Sequence, residues 1–137
     1  MKAKVLIVED EALLYDGLRI ALEKERFIVD EYTKSYDEAI KRISIETPDI
    51  VLLDINLFGN KDGLDLGKEL SNKYKIPFIY ITNLDDDTTF QQGLKTNHEH
   101  YIVKTKPKLN IKEIVRTIHT VLNKTQDSPM FNGNNRF

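Results

Sequence analysis

Five polar residues stand where apolar segments of the chain end, and together they could transfer a phosphoryl group. Glu9 and Asp10 follow the first apolar segment, Asp54 directly follows the third, and Thr82 and Lys104 follow the fourth and fifth. Carboxylates that converge repel one another unless a cation lies among them. Oxygen ligands of this kind suit a hard ion such as Mg²⁺. A nucleophilic carboxylate, Mg²⁺, a lysine and a hydroxyl donor together indicate phosphoryl transfer to a carboxylate.

The segments that must position these residues alternate between strand and helix patterns. Short apolar runs predict strands, and residues spaced by three and four predict amphipathic helices. The predicted strands are Lys4–Val8, Phe27–Val29, Ile50–Leu53, Pro77–Ile81 and Tyr101–Val103. The predicted helices cover Leu14–Glu25, Tyr36–Ile43 with Ser35 as N-cap, Leu66–Tyr74, the region near Asp86–Lys95, and Ile111–Leu122, with Asn110 as N-cap of the last.

Strict β-α alternation favours a doubly wound parallel sheet with helices on both faces, an α/β fold. In such a sheet, ligands bind at the carboxyl ends of the strands. The residues that follow the strands should therefore meet at one edge. Only Glu31–Thr33, after the second strand, shows no reactive pattern.

Composition bounds the remaining possibilities. A chain of 137 residues fits one domain, which we expect over residues 1–123, with residues 124–137 as a flexible tail or the start of a linker. The 20 Lys and Arg against 22 Asp and Glu leave no basic footprint, so direct nucleic-acid binding is not expected. The absence of cysteine excludes disulfides and thiolate metal sites. Apolar runs fall well short of the about 20 residues of a membrane helix, and acids interrupt the N-terminus too early for a signal peptide. These features predict a soluble, cytoplasmic protein.

The reactive residues and their spacing resemble those of the receiver domain of two-component response regulators, over residues 3–123. In that family an acidic pair follows the first strand, the phosphoacceptor aspartate follows the third, and a hydroxyl residue and a lysine follow the fourth and fifth. These positions match Glu9-Asp10, Asp54, Thr82 and Lys104. The resemblance implies a flavodoxin-like sheet of five strands in the order 2-1-3-4-5 with five helices, an order that comes from the family and not from the pattern.

The resemblance also implies a mechanism. Asp54 would take a phosphoryl group from a sensor histidine kinase or phosphotransfer protein, with self-catalysed phosphorylation and autodephosphorylation. Mg²⁺ would be held by Asp10, Asp54 and the backbone carbonyl of Asn56, and Glu9 would reach the ion through water. Gly63 matches a glycine that the family places after the phosphoacceptor loop.

The family's switch implies a further role for the fourth and fifth strands. A phosphoryl group would draw the Thr82 hydroxyl toward the site and let Tyr101 turn inward. This change would remodel the face made by the fourth predicted helix, the fifth strand and the fifth helix, and so alter a homodimer or partner surface. The sequence departs from the family after the lysine, where Thr105 replaces the usual proline. A cis bond before a non-proline residue costs about 2.5–4 kcal/mol, so we expect a trans Lys104–Thr105 bond.

Three other functions are alternatives to the receiver. A haloacid dehalogenase-like Mg²⁺-dependent phosphohydrolase also uses an aspartate after an apolar strand, but Asn56 replaces its general acid. A receiver that is not phosphorylated and serves as an interaction module does not need the intact set of reactive residues. A dinucleotide-binding domain lacks its glycine-rich turn here. Turnover of small phosphate esters would favour the hydrolase.

Overall fold

The computed structural model describes residues 2–55, 57, 59–82, 100–103 and 111–126. Five parallel strands form one sheet in the order β2-β1-β3-β4-β5, which confirms the predicted topology. The strands are β1 (Lys4–Val8), β2 (Ile28–Val29), β3 (Ile50–Asp54), β4 (Phe78–Thr82) and β5 (His100–Val103). Asp54 is therefore the last residue of β3 and not the first residue after it.

The described helices cover both faces of this sheet. They are α1 (Ala12–Lys24), α2 (Tyr36–Ile45), α3 (Gly63–Glu69) and a C-terminal helix (Ile111–Gln126). Ser35 caps α2 as predicted, because its hydroxyl accepts the Glu38 N–H at 3.1 Å. The predicted fourth helix, near Asp86–Lys95, and the N-cap Asn110 lie outside the described residues.

The third helix changes its winding at its C-terminal end. The prediction treated Leu66–Tyr74 as one regular helix, whereas Leu70–Tyr74 forms a π-helical turn. Lys75 ends this turn in a left-handed conformation with φ 57° and donates its N–H to the Leu70 carbonyl. The wider turn keeps Leu70 fully buried before the chain enters β4.

Two apolar layers hold the sheet and the helices together. Successive strand side chains point to opposite faces, so Val5 and Ile7 of β1 pack with α1 and the C-terminal helix, while Leu6 and Val8 pack with α2 and α3. Both faces are covered, which explains why β1 and β3 are continuous apolar runs in the sequence.

A buried ion pair ties the end of β2 to α2. The side chain of Asp30 is 3% exposed, and its Oδ1 accepts a hydrogen bond from Arg42 at 2.7 Å. This hydrogen bond raises the pKa of the Arg42 guanidinium. The Lys4 ammonium, at the start of β1, lies 3.8 Å from the other oxygen of Asp30 and also pairs with Glu46. These pairs fix the sheet edge on which β2 lies.

None of the helices in the described ranges is long and apolar enough to cross a membrane.

Candidate phosphorylation site

Three carboxylates meet at the carboxyl edge of the sheet, where the neighbouring strands β1 and β3 end. β1 and β3 are parallel neighbours, with Val8 beside Leu53, so Glu9 and Asp54 follow at the same level. One carboxylate oxygen each from Glu9, Asp10 and Asp54 lies within 4.8 Å of the others. We call these three residues the acidic group. The parallel pairing of β1 and β3 brings Glu9 and Asp54 together, although they are 45 positions apart in the sequence.

The acidic group combines burial with negative charge. Glu9 is 2% exposed and Asp54 is 4% exposed, whereas Asp10 is half-buried. Carboxylates this close favour a cation between them, because a positive charge offsets their mutual repulsion. Since all the donors are oxygens, the set fits a hard divalent ion such as Mg²⁺.

The backbone around Glu9 holds its side chain in place. The Glu9 carboxylate accepts the Glu11 N–H at 3.1 Å, where α1 begins. The Glu9 N–H donates to the Thr33 carbonyl at 3.0 Å, and Val8 and Thr33 form an isolated parallel bridge. The segment after β2 is thereby fastened beside the first two acids.

The start of α3 packs directly against the backbone of Asp54. Gly63 lies so close to β3 that a Cβ at this position would be 2.1 Å from the Asp54 carbonyl oxygen and 2.6 Å from the Cα of Ile55. The Gly63 N–H donates to the Ile55 carbonyl at 2.7 Å. Only glycine can make this approach without moving the backbone that carries Asp54.

A capping box starts α3 at this point. The Asp62 carboxylate accepts the backbone N–H groups of Leu64 and Asp65, and the Asp65 carboxylate accepts the Asp62 N–H. The spacing of apolar residues did not predict this start, because it placed the first helical residue at Leu66. Its signal was the pair of acids three residues apart before an apolar segment.

The other predicted site residues are described only in part. Thr82 ends β4 beside Val103 of β5, and Tyr101 pairs with Tyr80, but the side chains of Thr82 and Tyr101 are not described. Lys104 and Asn56 lie outside the described residues, and so does the Lys104–Thr105 bond with its expected trans geometry.

Comparison with known proteins places this arrangement in a family. The family model described as "Response regulator receiver domain" matches residues 5–116. The chain belongs to this family. It is the receiver domain of a two-component response regulator. This family membership supports the receiver function over the phosphohydrolase and the unphosphorylated module.

One curated relative is the transcriptional regulatory protein ResD of Bacillus subtilis (strain 168). The two are 30% identical over 133 residues, which are 97% of this chain and 53% of ResD. This chain therefore spans about half the length of that relative.

Two solved structures resemble the receiver along nearly its whole length. The signal receiver domain of a modulated diguanylate cyclase from Desulfovibrio desulfuricans G20 is 32% identical, with a TM-score of 0.83 over 92% of this chain and 98% of that one. A LuxR-family DNA-binding response regulator from Staphylococcus aureus is 26% identical, with a TM-score of 0.80 over 88% of this chain and 99% of that one. Both likenesses agree with the flavodoxin-like fold.

Proposed function

We propose that Asp54 is the phosphoacceptor of this receiver domain. The observation that carries the proposal is the acidic group, in which Asp54 ends a fully buried central strand with Glu9 and Asp10 beside it. A carboxylate fixed at the end of a buried strand has little freedom to move. That rigidity favours one direction of attack on an incoming phosphoryl group.

The donor is the phosphohistidine of a sensor histidine kinase or a phosphotransfer protein, the partner class that receiver membership implies, and the exchange takes place in the cytoplasm. An Asp54 carboxylate oxygen attacks phosphorus, so that an O–P bond forms as the N–P bond breaks. The electron pair of the broken bond stays on the imidazole nitrogen, which then takes up a proton. Attack of water on the same phosphorus later releases inorganic phosphate and restores the carboxylate.

The residues present fit a divalent cation. Asp10 and Asp54 would hold Mg²⁺ with the backbone carbonyl of Asn56, and Glu9 would contribute through water. When bound, Mg²⁺ supplies positive charge that stabilises the transferring phosphoryl oxygens. Asp10 is the half-buried member of the group, whereas the other two acids are buried.

The response to phosphorylation is proposed to follow Thr82 and Tyr101, with Lys104 paired to the phosphoryl group. The support is positional: Thr82 lies at the carboxyl end of the strand next to β3, and Tyr101 lies on the next strand along. The remodelled face would include β5 and the C-terminal helix and would alter a homodimer or a partner contact. Hydrogen exchange and oligomeric state with and without beryllofluoride test this step, and no change in either would contradict it.

Intact mass measurement tests the acceptor directly. After incubation with acetyl phosphate and Mg²⁺, the protein should gain the mass of one phosphoryl group, and the gain should depend on Mg²⁺. Asp54→Asn should abolish it. Asp37→Asn, which changes an exposed acid in the first turn of α2, is the matched control and should leave it intact. A labile phosphoryl group on Asp54→Asn would overturn the assignment.

A further inference from the structure

Tyr32 is an aromatic residue that has no role in the proposed transfer, and its neighbour Thr33 is hydrogen-bonded to the first acid of the acidic group. Tyr32 follows β2, and its ring lies against the ring of Tyr15, with 4.8 Å between centroids and 39° between planes. Tyr15 is buried on α1 and donates its hydroxyl hydrogen to the Asp30 carbonyl at 2.7 Å. The Tyr15 ring that Tyr32 contacts is therefore held in place.

The backbone next to Tyr32 is fastened to the residue that starts the acidic group. Thr33 bridges to Val8, and its carbonyl accepts the Glu9 N–H at 3.0 Å. The side chain of Thr33 is fully buried, whereas Tyr32 is 37% exposed. Since successive side chains of an extended segment point in opposite directions, the Tyr32 ring stands at the solvent boundary while its neighbour anchors the segment.

The electrostatic surroundings of Tyr32 identify the charges near its hydroxyl. Burial is the largest cause that raises the pKa of the Tyr32 phenol, and the negative charges of Asp10 and, more weakly, Glu9 raise it further. Two of the three acids thus act on this phenol more strongly than the other carboxylates, Glu38 and Asp16, that also raise its pKa.

We infer that Tyr32 is a positioning residue of the receiver site, whose ring covers the Asp10 side of the acidic group and limits the access of water. This role rests on the proposed function of Asp54. An apolar ring beside a half-buried carboxylate lowers the local dielectric, which strengthens the attraction of that carboxylate for a cation. The same exclusion of water slows hydrolysis of the acyl phosphate on Asp54.

Terbium luminescence tests the placement without any phosphorylation. Tb³⁺ is a hard cation that emits when a nearby tyrosine passes excitation to it, and the chain contains no tryptophan to compete. Tyr32→Phe should remove more than half of the sensitised emission while it leaves the affinity for Tb³⁺ unchanged. Tyr74→Phe changes a tyrosine in the π-helical turn of α3 and is the matched control that should keep the emission. Emission that survives Tyr32→Phe would overturn the inference.

Magnesium affinity distinguishes the contribution of the Tyr32 ring from that of its hydroxyl. By calorimetric titration, Tyr32→Ala should weaken Mg²⁺ binding by about tenfold, and Tyr32→Phe should restore wild-type affinity because it keeps the ring. Unfolding curves for both variants show that each is folded when it is measured. If Tyr32→Ala binds Mg²⁺ as tightly as the wild type, the proposed shielding of the acidic group by Tyr32 is refuted. If that variant does not fold, the terbium result with Tyr32→Phe decides.

The phosphoryl lifetime gives the last readout and keeps the two proposals distinguishable. Tyr32→Ala should shorten the half-life of the phosphorylated protein several-fold, and Tyr32→Phe should not. A wild-type protein that is phosphorylated on Asp54 while its Tyr32→Ala variant keeps the same half-life would refute the shield alone. A protein that takes no phosphoryl group would refute the acceptor role, and the terbium and magnesium measurements would still decide the position of Tyr32.

Discussion

Replacing Gly63 with alanine should disturb the acidic group from behind. A Cβ at this position would lie 2.1 Å from the Asp54 carbonyl oxygen, 2.6 Å from the Ile55 Cα and 2.8 Å from the Asp54 carbonyl carbon. All three atoms are backbone, so no side-chain rotation can relieve the overlap. The peptide that must move is the one that carries the proposed phosphoacceptor.

The size of the effect follows from these distances. Ordinary contact begins at 3.4 Å, so the new methyl group and the Asp54 oxygen must separate by about 1.3 Å, the difference between 3.4 and 2.1 Å. Overpacking a well-packed site costs about 1–3 kcal/mol, and alanine returns up to about 1 kcal/mol through its better helix propensity. We expect Gly63→Ala to lose about 2 kcal/mol of unfolding free energy. A displacement near 1 Å should also slow phosphorylation by about 100-fold.

Gly17 provides the matched control. It lies within α1 on its exposed side, and a Cβ there would meet nothing within 4 Å. Gly17→Ala should therefore stabilise the protein by about 0.5–1 kcal/mol and leave the phosphorylation rate unchanged. Urea unfolding and the initial rate of mass gain with acetyl phosphate measure both quantities.

Two results would refute the reasoning about Gly63. A Gly63→Ala variant as stable as the wild type would show that the start of α3 shifts without cost. A destabilised variant that is phosphorylated at the wild-type rate would show that the strain relaxes away from the Asp54 carboxylate. Either result would remove Gly63 from the support of the site.

Three further changes test the local structure. Burial raises the pKa of Tyr15 in the folded state above its ordinary value of 10.0. Because the unfolded protein then loses this proton at a lower pH, the free energy of unfolding should fall as pH rises above 10. Urea unfolding across that range should show a smaller fall in Tyr15→Phe. Asp62→Ala removes the carboxylate that accepts the Leu64 and Asp65 N–H groups in the capping box of α3 and should cost about 1 kcal/mol in the same assay. Asp30→Ala leaves Arg42 without its 2.7 Å partner and should cost more than Glu23→Ala, whose exposed pair on α1 contributes about 0.5 kcal/mol or less; equal losses would contradict the importance of burial.

The centre of the sheet was predictable because β1 and β3 are buried. Lys4–Val8 and Ile50–Leu53 are short, β-branched and apolar runs, and the α/β alternation around them leaves few arrangements. The structure gives β1 the predicted bounds and extends β3 by one residue to Asp54. That extension affects the site, since the carboxylate belongs to the strand itself and shares its rigidity.

The end of the third helix could not be predicted from spacing. Leu66, Leu70 and Tyr74 recur every four residues, a pattern that a regular helix satisfies as well as one whose last turn is wider. The π-helical turn depends on the Lys75 N–H reaching the Leu70 carbonyl and on the Ile76 N–H reaching the same oxygen at 3.0 Å. These bonds belong to the entry into β4, which residue periodicity does not describe.

The acidic group and Tyr32 show where inference from the sequence reaches its limit. Glu9 and Asp10 follow β1 and Asp54 ends β3, so parallel pairing alone brings them to one edge, and the residues at the end of each predicted strand were enough to find them. Tyr32 also follows a strand, but its position depends on β2 ending at Val29 and on Thr33 rejoining the sheet beside Val8. A bridge between residues 25 positions apart leaves no local pattern, since it is formed by backbone groups that every residue possesses. Side chains that surround a site through such contacts become visible only when the fold is known.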